Sequence, residues 1–237
     1  MRRQRTSPKA NRRLLKRTST ERRALWGRHR HPRIRVGLSW IFAYGSLVDL
    51  EDLRRVLGYD PVPETDWALA SLGGYRRAWN VGMYNLHARK DDKFYVAEND
   101  QRFDGVVLSV GLERDSQVDV NGIVFRVESR TLPVLDRREK RYARTDVTGA
   151  IQTRARLGAR SKVFTYLPLA EALAVANTGV EEGSAAISRD YYDRIEAAFD
   201  HLGTDEVAKY NNTTALPTAP VVDLRIVRPD TERHAQG

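Results

Sequence analysis

The chain has 237 residues, a length that corresponds to one domain of ordinary size with additional segments. Hydrophobic residues make up 41% of it, and no apolar run reaches the roughly 18–20 residues of a membrane-spanning helix. Cysteine is absent, which excludes disulfides, thiolate zinc sites, iron–sulfur clusters and a cysteine nucleophile. We therefore expect no transmembrane segment and a fold that depends on an ordinary hydrophobic core.

The charge is divided unevenly along the chain. Residues 1–36 contain 14 Lys or Arg and a single acid, Glu21, which gives a net charge of +13. The other 201 residues have 26 bases and 30 acids, a net charge of −4. Such an arginine-rich segment without apolar periodicity buries too little surface to offset its ordering entropy. We predict that residues 1–36 are a disordered basic tail.

Several roles for this tail remain open. It could bind the phosphates of nucleic acid, act as an organellar transit peptide, or contact an anionic membrane surface. It could equally be a dispensable extension, or the product of a start codon assigned too far upstream. A nucleic-acid partner is expected only through this tail. Because the apolar segment of a secretory signal is missing, we expect a cytoplasmic protein, with organellar targeting by residues 1–36 as the alternative.

A globular pattern begins after the tail, and we predict a domain over residues 37–228 followed by a flexible C-terminus at 229–237. Residues 38–44 form an apolar run of strand length that ends at Gly45. Leucines at helical spacing then predict a helix over 49–57, with Gly58 as its C-terminal cap.

The middle of the domain is rich in strand patterns, and helices return towards the end. Strands are predicted over 67–81, 94–97, 104–110, 123–127, 143–153, 161–167 and 221–227, and helices over 131–142, 168–176 and 188–202. Asn121-Gly122 indicates a hairpin turn, and Ser188 is the expected cap of the last helix. These elements predict an α+β fold, a small mixed β-barrel or curved sheet with flanking helices.

Metal, phosphate-loop and dinucleotide sites have little support in the sequence. Only two histidines, His87 and His201, fall inside the domain, and they are not paired at metal-ligand spacing. A zinc site or a Ser-His-Asp triad could arise only from isolated residues. Neither glycine-rich nucleotide motif occurs. We therefore expect no metal and no cofactor.

The turn Tyr44-Gly45-Ser46-Leu47 is the first feature that could carry chemistry. A glycine after a buried strand allows a sharp turn and the close approach of a ligand. The next amides lie near the start of a helix, where free N–H groups favour a carboxylate or a developing oxyanion. The alternative is an ordinary strand-to-helix turn in which Ser46 caps the helix.

Glu139 is the second such feature. On a helix, Leu132, Leu135, Glu139 and Tyr142 share one stripe, which places a carboxylate on the face that should be buried. Burial raises the pKa of a carboxyl group, and a carboxylate so placed can act as a general acid or base near neutral pH. The alternative is a structural ion pair with a neighbouring arginine.

Other candidates are weaker. We expect the aromatic residues Trp79, Tyr84 and Tyr95 to belong to the core or to a pocket wall. The adjacent cations Arg76 and Arg77 are expected simply to flank a strand.

The two features, in this order, resemble the gamma-glutamylcyclotransferase-like superfamily. Its members carry a Tyr-Gly-Ser-[Leu/Asn] loop after the first strand and a glutamate that ends a Leu-Asp-x-x-Glu segment, often with a tyrosine shortly after. The matching residues here are Tyr44-Gly45-Ser46-Leu47, Leu135-Asp136-Arg137-Arg138-Glu139 and Tyr142. Residues 74–79, 122–127 and 188–192 look like further regions of the family, so the resemblance spans about residues 41–205.

The resemblance implies a small mixed β-barrel with flanking helices and a reaction that needs no cofactor. A γ-glutamyl amide, which could be a γ-glutamyl amino acid, a γ-glutamyl amine or glutathione, would be converted to 5-oxoproline and a free amine. Glu139 would be the catalytic acid and base. The substrate-binding residues would be Tyr44, Gly45, Ser46, Leu47 and Tyr142, the last of which would orient Glu139 or line the pocket.

The contrasting hypothesis is a non-catalytic module of the same fold. Its pocket would bind a small carboxylate or a peptide end without turnover, while the basic tail would bind nucleic acid or another partner. Turnover that is abolished by Glu139→Gln in a folded protein favours the enzyme, whereas ligand binding without turnover favours the module.

Overall fold

The computed structural model describes residues 37–85 and 93–228, in which strands and helices alternate. The strands are β1 (Leu38–Ala43), β2 (Trp67–Tyr84), β3 (Phe94–Val96), β4 (Val106–Glu128), β5 (Tyr142–Asp146), β6 (Ile151–Thr153), β7 (Val163–Pro168), β8 (Ala185–Ser188), β9 (Val221–Val222) and β10 (Arg225–Val227). The helices are α1 (Leu50–Leu57), α2 (Leu132–Arg138), α3 (Ala170–Glu181), α4 (Arg189–Asp200) and α5 (Thr204–Thr213). The predicted tail, the predicted flexible C-terminus and His87 lie outside the described residues.

The larger sheet is mixed and open, and β4 is its central strand. Strands run in the order β5-β7-β1-β4-β2-β6; in addition, β8 pairs with the first residues of β4, and β9 pairs with β8. The pairs β1–β4 and β2–β4 are antiparallel, whereas β1–β7 and β4–β8 are parallel. The predicted α+β fold with a curved mixed sheet and flanking helices is confirmed, although this sheet does not close into a barrel.

The long hairpin of β2 and β4 bends where its register shifts. Shifts occur between Gly73 and Tyr75 and between Ala78 and Val81. Gly74, which lies within the first shift, has a φ of 79°, a conformation that glycine adopts without steric cost. Bulges of this kind increase the local twist and bend a strand, so the hairpin curves around the core.

The predicted hairpin turn at Asn121-Gly122 is wrong, because both residues lie inside the continuous strand β4. Gly122 is required for close packing: a Cβ there would lie 2.1 Å from the carbonyl oxygen of Ala43 on β1. Asn121 is buried, and its side-chain amide donates to the carboxylate of Glu206 at 2.8 Å. Both residues make contacts inside the fold that need these residue types, so their turn-like composition does not mark a turn here.

The helices in the second half of the chain depart from the sequence expectations in several places. α3 continues to Glu181, because Gly179 lets it pack closely on Val106 of β4. Ser188 precedes α4 but does not cap it through its side chain; its hydroxyl donates to the carbonyl of Leu224 at 3.0 Å. The sequence analysis did not predict α5, although acids in its first turn are a usual helix-start signal.

The core lies between the concave face of the sheet and the helices. Its largest fully buried apolar side chains come from β1, β4, α1 and α4, and they include Phe42, Phe125, Leu53 and Phe199. No helix in the described part of the chain is long and apolar enough to cross a membrane. β1 is buried from Ser39 to Ala43 and lies in this core, so the loop that follows it has a fixed position.

Candidate active site

The loop 44–47 connects β1 to α1 through a short 3-10 turn, Ser46–Val48. Asp49 caps α1, since its carboxylate accepts a hydrogen bond from the amide of Glu51 at 2.7 Å. The alternative that Ser46 caps the helix is therefore wrong. Ser46 and Leu47 begin the 3-10 turn, so their amide N–H groups have no partner inside it.

Hydrogen bonds hold both the side chain and the backbone of Tyr44. Its hydroxyl donates to the carbonyl of Tyr166 on β7 at 2.5 Å, and its own carbonyl accepts from Nε of Arg77 at 2.7 Å. The side chain is buried. The backbone of the loop is therefore fixed relative to both β2 and β7 before any ligand binds.

Arg77 is fully buried, which contradicts the expectation that it only flanks a strand. Its guanidinium carbon lies 4.7 and 4.8 Å from the ring centres of Phe199 and Tyr210, which stack on each other at 4.6 Å. The other nitrogens donate to the hydroxyl of Thr214 and the carbonyl of Asn121, each at 2.6 Å. Burial lowers the pKa of Arg77 to about 10, so the group stays charged at neutral pH. Arg77 thus joins the loop 44–47 to β4 and to the segment after α5.

Glu139 follows the last residue of α2, so the predicted helical stripe is only partly correct. Leu132 and Leu135 are buried as expected. The helix ends at Arg138, Glu139 has φ −92° and ψ 48°, and Tyr142 opens β5. The side chain of Glu139 retains 19% exposure. Glu139 is thus largely buried at a turn, although not on the helix that the spacing suggested.

The predicted site residues come together around a small inner cavity of about 50 Å³. Its lining includes all six of them: Tyr44, Gly45, Ser46, Leu47, Glu139 and Tyr142. A Cβ on Gly45 would lie 3.8 Å from the hydroxyl of Tyr191 and from the side chain of Val110, which also line this cavity. The absence of a side chain at position 45 therefore keeps the inner cavity open.

A larger outer cavity of about 710 Å³ adjoins the first. Four residues line both cavities: Ser46, Glu139, Tyr142 and Tyr191. The side chain of Glu139 thus stands at the boundary between a small cavity and a larger one. A substrate could place its reacting end inside and the rest outside.

Burial raises the pKa of Glu139 above its ordinary value. The positive charges of Arg138 and Lys93 act in the opposite direction, and the carboxylate of Asp52 adds to the rise. Arg138 places its Nε 3.3 Å from Oε1 of Glu139 and also approaches Asp52 at 3.5 Å. The ion pair that the sequence offered as an alternative is therefore present, and burial outweighs it. A carboxyl group in this state can accept and return a proton near neutral pH.

The tyrosines of the inner cavity remain protonated, because burial raises the pKa of Tyr44, Tyr142 and Tyr191. The hydroxyl of Tyr142 donates to the carbonyl of Val110 at 2.7 Å and makes no hydrogen bond to the carboxylate of Glu139. The side chain of Tyr142 therefore lines the cavity without directly orienting Glu139. Three neutral phenols therefore line the cavity beside the carboxylate and add no charge to it.

The described residues offer no metal site, since they hold no group of three or more His, Cys, Asp or Glu arranged around a common point. What the site does contain is one proton-transfer group, a loop with amide donors, and a wall of neutral hydroxyls. This combination suits a reaction in which an amine loses a proton, attacks a nearby carbonyl, and an oxyanion develops.

Three functional positions were missed by the sequence reasoning. Tyr166 and Tyr191 line the inner cavity, and Asp52 lies in the outer one. Tyr191 belongs to the Ser-x-x-Tyr segment that begins at Ser188, so that motif could have indicated it. Tyr166 and Asp52 stand in ordinary strand and helix patterns, which carry no local signal of a site. The expected placement of Trp79 and Tyr95 in the core or a pocket wall is correct, whereas Tyr84 is exposed.

No protein-family model and no curated protein sequence matches the chain. Solved structures do match it. A yeast gamma glutamyl cyclotransferase specific to glutathione has 13% identity and a TM-score of 0.46, and the match covers 75% of this chain and 97% of that one.

Two further matches come from structural surveys. An Arabidopsis thaliana protein solved in solution has 23% identity and a TM-score of 0.36, with 57% of this chain and 71% of that chain covered. YkqA from Bacillus subtilis has 18% identity and a TM-score of 0.44, with 74% of this chain covered. The chain spans about half of YkqA, 54% of its length. Gamma-glutamyl cyclotransferases are thus among the solved structures that the chain resembles.

Proposed function

We propose that the protein converts a γ-glutamyl amide to 5-oxoproline and a free amine, with Glu139 as general base and then general acid. The observation that carries this proposal is the meeting of the loop 44–47 and Glu139 at one small cavity. The raised pKa of Glu139 supports it, because a carboxyl group that transfers protons near neutral pH works best when its pKa approaches the operating pH.

In the proposed reaction, the carboxylate of Glu139 removes a proton from the α-ammonium group of the substrate. The freed amine attacks the γ-carbonyl carbon of the same molecule and forms the five-membered ring. Glu139 then returns its proton to the leaving nitrogen as the original amide bond breaks. The attacking nitrogen loses a second proton to become the lactam N–H, and this proton leaves with the departing amine, which is released as an ammonium ion. The α-ammonium group thus gives up two protons and the leaving nitrogen gains two, so no cofactor takes part. The reacting atoms belong to one molecule, which removes most of the entropic cost of bringing them together.

The loop amides supply the second element. The N–H groups of Ser46 and Leu47 face no partner within their turn, so they are available to the oxygen that becomes negative in the tetrahedral intermediate. Arg77 contributes indirectly, because its hydrogen bond to the carbonyl of Tyr44 fixes the backbone that carries these donors. It is a positioning residue, since its own burial keeps it away from the substrate.

A 5-oxoproline assay tests the proposal. Purified full-length protein is incubated with glutathione, several γ-glutamyl amino acids and γ-glutamyl-lysine, with Glu139→Gln in parallel. Glu128→Gln is the matched control, because Glu128 pairs with Arg130 and lines neither cavity. We expect product from the wild type and from Glu128→Gln, and none from Glu139→Gln.

Two outcomes would contradict the proposal. Equal turnover by Glu139→Gln would remove Glu139 from the mechanism. Ligand binding without any product, in a folded wild-type protein, would instead favour the non-catalytic module. Binding is measured by calorimetry with the same compounds, so that the second outcome is distinguished from a protein that binds none of them.

A further inference from the structure

The outer cavity is strongly cationic. Its lining holds two carboxylates, Asp52 and Glu139, and seven basic side chains, namely Arg55, Lys93, Arg138, Lys140, Arg141, Arg194 and Arg228. Among the residues that line the cavity, basic groups therefore outnumber carboxylates by five. An excess of this size in a concave site attracts anions and raises their local concentration.

The two carboxylates do not neutralise this excess, because Asp52 is shared by several cations. It accepts from Arg55 at 2.7 Å and lies 3.5 Å from Arg138 and 4.0 Å from Arg194. Arg55 also pairs with Glu51 at 3.1 Å and Arg138 with Glu139 at 3.3 Å, which leaves Arg194 with the most distant counter-charge of the three. A bound anion would supply Arg194 with a closer one.

Arg194 links the outer cavity to the inner one. It lies three residues after Tyr191 on α4, so both side chains share one helix face. The guanidinium carbon stands 5.8 Å from the ring centre of Tyr191, a residue that lines both cavities. The Nε of Arg194 is buried and has no hydrogen-bond partner among the described residues. The side chain as a whole is 35% exposed, so a ligand in the outer cavity can reach Arg194 at atoms other than Nε.

The sizes of the two cavities determine which part of the substrate each of them can hold. The inner cavity, at about 50 Å³, has room for only about three to five water-sized groups, so it can take the reacting end and little more. The glutamyl end carries an α-ammonium and an α-carboxylate, whose charges cancel. The charge that complements the outer cavity must therefore come from the leaving half of the substrate.

We infer that the outer cavity selects γ-glutamyl substrates whose leaving amine carries two carboxylates, an inference that rests on the proposed function. Methylene groups between those carboxylates have a surface to lie on, because Met83, Val107 and Ile226 form an apolar part of the same lining. Two carboxylates can each pair with a guanidinium group, and Arg194, which lines the cavity with a partly exposed side chain, is one of the groups available.

Two nearly isosteric compounds test the inference. The leaving half of γ-glutamyl-glutamate has two carboxylates, whereas γ-glutamyl-glutamine replaces one of them by an uncharged amide. We expect kcat/KM for the glutamate compound to exceed that for the glutamine compound by about tenfold or more, as is typical of one charge-assisted hydrogen bond. The preference should shrink at high ionic strength, because salt screens charges in an open cavity.

A pair of variants connects the preference to the cavity. Arg194→Gln should reduce the ratio of the two kcat/KM values towards one. Asp52 keeps Arg55 and Arg138 as partners in this variant, so the local structure is supported. Arg189→Gln is the control: Arg189 is on the same helix but pairs with Asp223 and does not line the cavity. The ratio should be unchanged in this control.

The outcomes separate the inference from the proposed function. Equal kcat/KM values for the two compounds, or a ratio that Arg194→Gln leaves intact, overturn the inference while the cyclotransferase activity stands. No 5-oxoproline from either compound, or from glutathione and the γ-glutamyl amino acids, overturns the proposed function and the inference with it.

Discussion

The two cavities that meet at Glu139 differ in the charge of their walls. The inner cavity is lined by tyrosines and aliphatic side chains, and Glu139 is the one ionisable carboxylate among the described residues around it. The outer cavity is lined by at least five cations. Burial raises the pKa of Glu139, while Arg138 and Lys93, which line the outer cavity, lower it. Burial and the cations of the outer cavity thus act in opposite directions on the pKa of Glu139, and the same cations attract anionic groups.

The largest effect is expected from removing the carboxylate at this boundary. In Glu139→Gln we expect kcat to fall by about 100- to 10,000-fold, the usual contribution of a general acid or base. The amide keeps the size of the side chain, so folding is retained and the loss belongs to the chemistry. Steady-state kinetics of 5-oxoproline formation measures it, with circular dichroism to confirm the fold.

Glu139→Gln should also change the stability of the folded protein. The pKa of Glu139 is raised in the folded protein, so the folded state holds its proton more tightly than the unfolded state does. Its contribution to stability is therefore fully present below the unfolded pKa and is lost as the pH rises through the folded pKa. We expect Glu139→Gln to be more stable than the wild type at neutral pH. The difference should narrow in urea unfolding as the pH falls from about 8 to about 4. A difference that does not change with pH would mean that Glu139 titrates alike in both states.

The next largest effect should come from Arg77, which supports the loop from behind the inner cavity. Arg77→Met keeps apolar contact with Phe199 and Tyr210 but leaves the carbonyls of Tyr44 and Asn121 without their donor. Each unsatisfied buried acceptor costs about 1–3 kcal/mol, so we expect the free energy of unfolding to fall by roughly 2–6 kcal/mol. Denaturant unfolding measures the loss.

The neighbouring arginine is the control for this variant. Arg76 is partly exposed and pairs with Glu113 at 3.4 Å, so Arg76→Met should cost no more than about 1 kcal/mol. Arg77→Lys keeps the charge but not the planar fork, and it should recover part of the stability. If Arg77→Met and Arg76→Met unfold at the same denaturant concentration, Arg77 does not support the loop as described.

A smaller effect is expected from filling the inner cavity. The methyl group of Gly45→Ala would lie 3.8 Å from the hydroxyl of Tyr191, an ordinary contact distance, so the fold should tolerate it. The space for the reacting end is reduced, and one methyl group in a binding pocket changes kcat/KM by about 10- to 200-fold. Gly149→Ala, where a Cβ meets nothing within 4 Å, is the control. Unchanged kinetics in Gly45→Ala would place the substrate's reacting end elsewhere.

Local signals made part of this structure predictable. The apolar run of β1, the leucine spacing of α1 and its closing residue Gly58 all act within a few residues, and each is found as predicted. The site residues were identified through two short motifs, and the fold brings those motifs to one cavity although 91 positions lie between Leu47 and Glu139.

The remaining features depend on distant partners. Arg77 reads as a surface cation beside a strand, and its burial follows from a hydroxyl acceptor 137 positions away, Thr214. Asn121-Gly122 has the composition of a turn, and only the close approach of Ala43 explains a glycine there. The spacing of Leu132, Leu135 and Glu139 indicated a longer helix, since periodicity does not mark where α2 gives way to β5. Tertiary packing decided each of these positions.

The smallest effect expected at the boundary between the cavities is that of Tyr142→Phe. The phenylalanine ring fills the same space, and only the hydrogen bond to the carbonyl of Val110 is lost, which costs about 1 kcal/mol. Because this hydroxyl makes no hydrogen bond to Glu139, the acid limb of the pH–rate profile should stay where it is in the wild type, while kcat/KM falls by less than about tenfold. A displaced acid limb would show instead that Tyr142 tunes the carboxylate, and the inner wall would then act on Glu139 through a specific hydrogen bond rather than through burial.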